Sequence, residues 1–161
     1  MKKQYYLAYG SNLDIDQMAW RCPTAQAVGV AVLKDWQLLF RGSKSGSYLT
    51  IERKKGFEVP VGVWEIQPID EAALDRYEGY PDFYYKKTLP VVMEDFAGKL
   101  HEVDALVYIM HEDRPLGVPS GAYVRICAKG YNDFGFDLET LTAAVKASVE
   151  RCRKETYGES V

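Results

Sequence analysis

The sequence predicts an α+β fold in which a mixed, largely antiparallel sheet closes into a small barrel with two or three helices against it. Three observations carry that prediction. Segments rich in β-branched and aromatic residues dominate the chain, helix-like patterns are confined to residues 14–21, 70–77 and 138–152, and no repeat or low-complexity linker divides the 161 residues. A chain of this length with 47% hydrophobic residues fills one domain, 1–161, around one core.

Taken in order, Gln4-Tyr5-Tyr6-Leu7-Ala8 is a strand, and Tyr9-Gly10-Ser11-Asn12 turns the chain tightly towards a helix. Residues 14–21 form that short helix, with Asp14 and Gln17 at capping-box spacing and Pro23 beyond its end. Residues 28–40 are strand-like, broken at Lys34-Asp35, and residues 41–47 form a polar Gly/Ser-rich loop able to fold over a site. Two strands follow, 48–52 and 59–66. Pro60 in the second cannot donate to a ladder, which argues for an edge or a strand start. Residues 70–77 make a compact helix with acidic residues in its first turn and Gly79 just past its end. Residues 83–94 and 100–110 then pair as a hairpin around 95–99. The stretch 111–121, holding Pro115 and Pro119, is a loop leading into residues 123–127. Finally, Leu138, Leu141, Val145, Val149 and Cys152 recur at helical spacing opposite Lys146, Glu150, Arg151 and Lys154, a stripe that reads as core contact.

Composition removes several function classes. The 23 acidic and 20 basic residues give a formal charge of −3 and are spread along the chain, so no basic block follows a phosphate backbone and nucleic acid is not an expected partner. The apolar stretch after Met1-Lys2-Lys3 is interrupted by Gln4 and ends at the Gly10 turn, too short for an export signal or a membrane span. Cys22, Cys127 and Cys152 are odd in number with long, unequal spacings, which suits a reduced, cytoplasmic setting rather than a disulfide framework. His101 and His111 lack a second ligand at helical spacing, so no metal site is expected. Ser11 stands in Gly-Ser-Asn, outside the Gly-x-Ser-x-Gly pattern of a nucleophile elbow. The twelve tyrosines satisfy strand propensity or, alternatively, line a pocket with aromatic faces and hydroxyl tips.

Two segments carry chemistry. At the Tyr9-Gly10-Ser11-Asn12 turn, glycine permits close approach of a ligand to the backbone, and free N–H groups at a helix start favour a carboxylate, a phosphate or a developing oxyanion. Taken alone, the tetrapeptide is as readily an ordinary turn. In Leu74-Asp75-Arg76-Tyr77-Glu78-Gly79, Glu78 meets the free carbonyls of a helix end, which disfavour an ionised carboxylate. Burial among Tyr77, Tyr80, Phe83 and Tyr84 would act in the same direction, and a raised pKa is expected. Position alone also suits an exposed, uneventful glutamate.

The set Tyr9-Gly10-Ser11-Asn12-Leu13, then Leu74-Asp75-x-x-Glu78-Gly79 with Tyr84, then Pro119-Ser120-x-x-Tyr123 leading to Gly130-x-x-x-x-Gly135, resembles the gamma-glutamylcyclotransferase family in order and spacing over most of the chain. The resemblance implies a mainly antiparallel mixed barrel with two to four flanking helices, working without metal or organic cofactor. It also implies release of 5-oxoproline from a small-molecule gamma-glutamyl compound, leaving a free amine or amino acid. It makes Glu78 the catalytic acid/base and the turn from Tyr9 to Leu13 the cradle for the gamma-glutamyl group, with Tyr84 and Tyr123 as further substrate-binding residues. Family members often carry Tyr-x-Arg after the glutamate; here Tyr84-Tyr85-Lys86 puts a point charge where a planar fork would stand. Glutathione, a gamma-glutamyl amino acid, a lysine side-chain isopeptide and a biosynthetic gamma-glutamyl protecting group all remain open as substrates. Arg41, Lys44, Arg114 and Arg125 are either leaving-group ligands or solvated charges. Monomer is the default expectation, and the alternative to an enzyme is a non-catalytic module on the same fold that binds a small molecule at the cradle, or a protein through the tyrosine-rich surface, without turnover.

Overall fold

The computed structural model describes residues 3–43 and 46–157. Five strands, β1 (Gln4–Ala8), β2 (Gln26–Ser43), β3 (Gly46–Ile66), β4 (Tyr84–Asp95) and β5 (Leu100–Met110), close into a barrel in the order β1-β3-β2-β4-β5. Neighbours run antiparallel except at the closure, where Tyr5 and Tyr6 of β1 lie parallel to Ala105 and Leu106 of β5. Four α-helices are described: α1 (Ile15–Arg21), α2 (Pro68–Glu78), α3 (Gly121–Asp133) and α4 (Glu139–Tyr157). The predicted barrel and hairpin are therefore both present.

The strands are longer and less interrupted than the sequence suggests. The segments 48–52 and 59–66 belong to one strand of 21 residues, and the break at Lys34-Asp35 is a bulge in an 18-residue partner. There the five-residue step on β3 from Glu58 to Arg53 faces a two-residue step on β2 from Lys34 to Trp36, and Asp35 takes φ 65. The segment 41–47 is likewise not an open loop. Arg41, Gly42 and Ser43 pair with Tyr48, Ser47 and Gly46, while Lys44 and Ser45 lie outside the described residues.

Helix ends follow the side chains that satisfy them. Asp14 caps α1 by accepting from the N–H groups of Asp16 and Gln17, at 3.0 and 3.2 Å. Gly79 ends α2 in the left-handed region at φ 65, where its N–H reaches the Arg76 carbonyl. Residues 123–127, to which the sequence assigned no element, are the first turns of α3, capped by Ser120. Along α4 the apolar stripe is narrower than its spacing suggests: Leu141 and Ala144 are buried, whereas Val149, and Leu138 just before the helix, are exposed. One core joins the inner faces of the strands with Met18 of α1, Leu74 of α2, Cys127 and Tyr131 of α3 and Leu141 of α4.

Candidate active site

At one end of the barrel a cavity of about 330 Å³ brings together expected site residues from four separate segments, with further lining from β1, β3 and β5. The first turn supplies Tyr9, Gly10, Ser11 and Asn12, the end of α2 supplies Glu78, β4 supplies Tyr84, and α3 supplies Tyr123. Leu13, the remaining expected cradle residue, does not line the cavity. It is fully buried in the core, and its N–H closes the turn onto the Gly10 carbonyl at 3.0 Å. The expected donor set of Gly10 to Leu13 thus shrinks, because the Leu13 proton is already committed. The turn itself is a single 3-10 turn, Ser11–Leu13, so α1 begins one step beyond the cradle.

A rigid side-chain frame holds this turn. Arg21, from the last turn of α1, lays its guanidinium 3.4 Å from the centroid of the Tyr77 ring and donates to the Asn12 carboxamide oxygen. That fixes the flip of Asn12, whose Nδ2 then donates to the Tyr6 hydroxyl at 2.9 Å. Trp64 Nε1 donates to the Asn12 carbonyl at 3.1 Å, and Ser11 and Tyr77 share a hydrogen bond of 2.8 Å between their hydroxyls. Gly10 faces Leu49 and Tyr123 closely; a Cβ there would lie 3.3 Å from both Leu49 Cδ1 and the Tyr123 hydroxyl.

Glu78 keeps part of its surface open to the cavity, yet the mass of protein around its carboxyl excludes most water. That burial pushes its pKa from 4.5 up to about 8, partly opposed by the positive charge of Arg21. The expected direction is present, with dehydration as its main cause. Tyr80, expected beside this carboxyl, instead receives Lys86 over its ring at 4.1 Å. Burial holds the Tyr6, Tyr9 and Tyr84 hydroxyls well above the usual phenol range, and the Glu78 charge is the next contribution in each.

Lys86 has a definite place in this arrangement. Its Nζ lies 2.8 Å from Glu71 and 3.1 Å from Asp75, two carboxylates one turn apart on α2, and Tyr108 donates to Asp75 at 2.5 Å. Of the cations named from the sequence, Arg41 is paired with Glu52 and donates to the Arg114 carbonyl, while the Arg114 guanidinium stacks 4.8 Å from the Phe83 centroid. Sequence reasoning did not single out Tyr6, Arg21, Trp64 or Tyr108, and named Tyr77 only as a neighbour of Glu78. The abundance of tyrosine was the advance signal for Tyr6 and Tyr108, and Arg21 and Trp64 gave none, since each reaches the site through packing rather than through a motif.

A closed barrel with a tyrosine-lined end cavity around one dehydrated carboxyl is the architecture of a small-molecule enzyme. Residues 6–125 match the family model described as gamma-glutamyl cyclotransferase, AIG2-like. The gamma-glutamylcyclotransferases of Homo sapiens and Bos taurus are each 32% identical over 143 residues, covering 83% of this chain and 73% of theirs. A solved gamma-glutamyl cyclotransferase structure superposes with a TM-score of 0.74 at 29% identity, covering 91% of this chain and 88% of that one. The chain belongs to the gamma-glutamylcyclotransferase family and is an enzyme of that type.

Proposed function

We propose that Glu78 is the acid/base of a cyclisation that cleaves a gamma-glutamyl amide. The substrate's α-ammonium, with an ordinary pKa of roughly 8, loses a proton to Glu78, and the freed amine attacks the γ-carbonyl carbon. The new C–N bond closes a five-membered ring. Glu78 returns its proton to the departing amine and takes the second proton that the ring nitrogen sheds as the tetrahedral oxyanion collapses and the amide C–N bond breaks, giving 5-oxoproline and a free amine or amino acid. Attack is intramolecular, so holding the substrate folded removes much of the entropic barrier. The backbone N–H groups of Gly10, Ser11 and Asn12 are the donors for the α-carboxylate or the oxyanion; losing one such donor costs on the order of a hundredfold in rate.

The observation that carries this reading is the raised Glu78 carboxyl in the same cavity as the cradle. A base whose pKa matches that of the group it deprotonates wastes little driving force in either direction. The leaving group extends past Tyr48, Phe83 and Arg76, at the more exposed part of the lining. Cytoplasmic residence is part of the proposal, supported by the buried thiols of Cys22 and Cys127.

The test is 5-oxoproline release from a panel of gamma-glutamyl compounds by wild type and Glu78→Gln in parallel. Turnover by the wild type and a loss of at least about a hundredfold in the folded variant are expected. Equal rates remove Glu78 from the mechanism, and no release across the panel favours a binding module.

A further inference from the structure

Of the seven tyrosines that line the cavity, four have a hydroxyl whose role as donor or acceptor is fixed by a main-chain or amide partner. A phenol has one proton to donate and lone pairs to accept, so a partner that uses one leaves the other for a ligand. Leu49 of β3 divides two of them. Its carbonyl accepts from the Tyr84 hydroxyl at 2.8 Å, which commits the Tyr84 proton and leaves that oxygen's lone pairs. Its N–H donates to the Tyr123 hydroxyl at 3.1 Å, which occupies a lone pair and leaves the Tyr123 proton, with the weakly accepting Cys127 thiol as the neighbouring protein partner. Tyr9 resembles Tyr84, donating to the Tyr108 carbonyl at 2.7 Å. Tyr6 resembles Tyr123, accepting from Asn12.

The two kinds of hydroxyl also have different surroundings. Tyr84 stands where the Glu78 charge is the strongest electrostatic influence on it, whereas the Tyr123 hydroxyl lies against the Gly10 backbone of the cradle. We propose that the Leu49 peptide sets a polarity across the cavity, so that Tyr84 accepts a hydrogen bond from the substrate's α-ammonium while Tyr123 donates one to its α-carboxylate. This rests on the cyclotransferase reading and adds the orientation of the substrate to it: the ammonium end is held beside Glu78 and the carboxylate end beside Gly10. Leu49 is the positioning residue, acting through its peptide group, and Tyr84 and Tyr123 are the residues that discriminate the zwitterionic glutamyl head from compounds lacking either charge.

The experiment measures binding by calorimetry of two anilides, glutaric acid monoanilide, which lacks the α-amine, and 4-aminobutanoyl anilide, which lacks the α-carboxylate, to wild type, Tyr84→Phe and Tyr123→Phe. A hydrogen bond to a charged group corresponds to a loss of about tenfold or more. Tyr84→Phe is expected to weaken the 4-aminobutanoyl compound by that factor and to leave the glutaric compound unchanged. Tyr123→Phe is expected to do the reverse. A merely structural role weakens both compounds alike in one variant, and that result overturns the proposal, as does the opposite pairing. If one variant fails to fold, the other decides alone, since each predicts loss with one compound and none with the other. Wild type that releases no 5-oxoproline overturns the cyclotransferase reading and this one with it; release accompanied by equal losses overturns this one alone.

Discussion

Glu78 stores its reactivity as a cost to the folded state. Its pKa rises from 4.5 to about 8 on folding, so the native protein binds a proton there that the unfolded chain releases. The stabilisation from this group is fully present below about pH 4.5 and is lost as the pH rises to about 8, on the order of a few kcal/mol in all. Glu78→Gln, which is neutral throughout, is therefore expected to unfold at a higher temperature than wild type at pH 8.5 to 9, with the difference fading near pH 4.5; thermal melts across that range check it. Arg21 opposes this shift with its positive charge while stacking on Tyr77. Arg21→Met should accordingly move the rising limb of the kcat/KM profile to higher pH than in wild type. A limb that stays in place would mean that Arg21 serves only to hold Asn12 and Tyr77. The sequence exposed Glu78 through its place before Gly79, but Arg21 was hidden, because its contact with Tyr77 joins α1 to α2 between residues far apart in the chain.

At the scale of elements, the strand pattern of the sequence was legible and the strand lengths were not. Lys34-Asp35 and most of residues 53–58 are polar, so they read as breaks, yet the two strands remain paired around a bulge that tolerates exposed side chains, Phe57 among them. Residues 123–127 carried no helix signal, since Tyr123, Val124 and Ile126 suit a strand as well. The Ser120 cap and the burial of Cys127 and Tyr131, one turn apart, decide for α3. Gly130 then lets that helix touch the cradle: a Cβ there would lie 2.6 Å from both the Asp14 nitrogen and Leu13 Cβ. Gly130→Ala must push α3 away from the turn, and an overpacking cost of about 1–3 kcal/mol is expected in denaturant unfolding, together with a raised KM. Lys86 performs the corresponding task for α2, bridging Glu71 and Asp75, which would otherwise repel at i, i+4 spacing. Lys86→Met should lower the melting temperature and Lys86→Arg should largely restore it, because two carboxylates on one side of the cation need charge more than they need a fork. Equal losses in both variants would assign the role to the fit of the lysine ammonium itself, whose Nζ sits 4.1 Å from the Tyr80 ring centroid.

Across the whole molecule, the cavity exists because the barrel closes. Tyr9, Glu78, Tyr84 and Tyr123 come from segments that no local pattern links, and the short parallel pairing of β1 with β5 carries the first turn to the barrel end where the other three converge. Among the described residues that closure involves only Tyr5–Ala105 and Tyr6–Leu106, so the shared core rather than the ladder must hold it. Cys22 at the end of α1 and Cys127 in α3 are both fully buried in this one core, and burial pushes their thiols up to about 11 and about 12. Neither thiolate forms appreciably at neutral pH, so both should resist a thiol reagent in the native state. If the core is a single cooperative unit, both become reactive at the denaturant concentration at which the far-ultraviolet circular dichroism is lost. Thiol labelling followed by peptide mapping across a urea titration checks this. Cys127 reacting well before Cys22 would show that α3 detaches from the barrel first, and activity should then disappear with the labelling of Cys127, because Tyr123 on the same helix would leave the cavity with it.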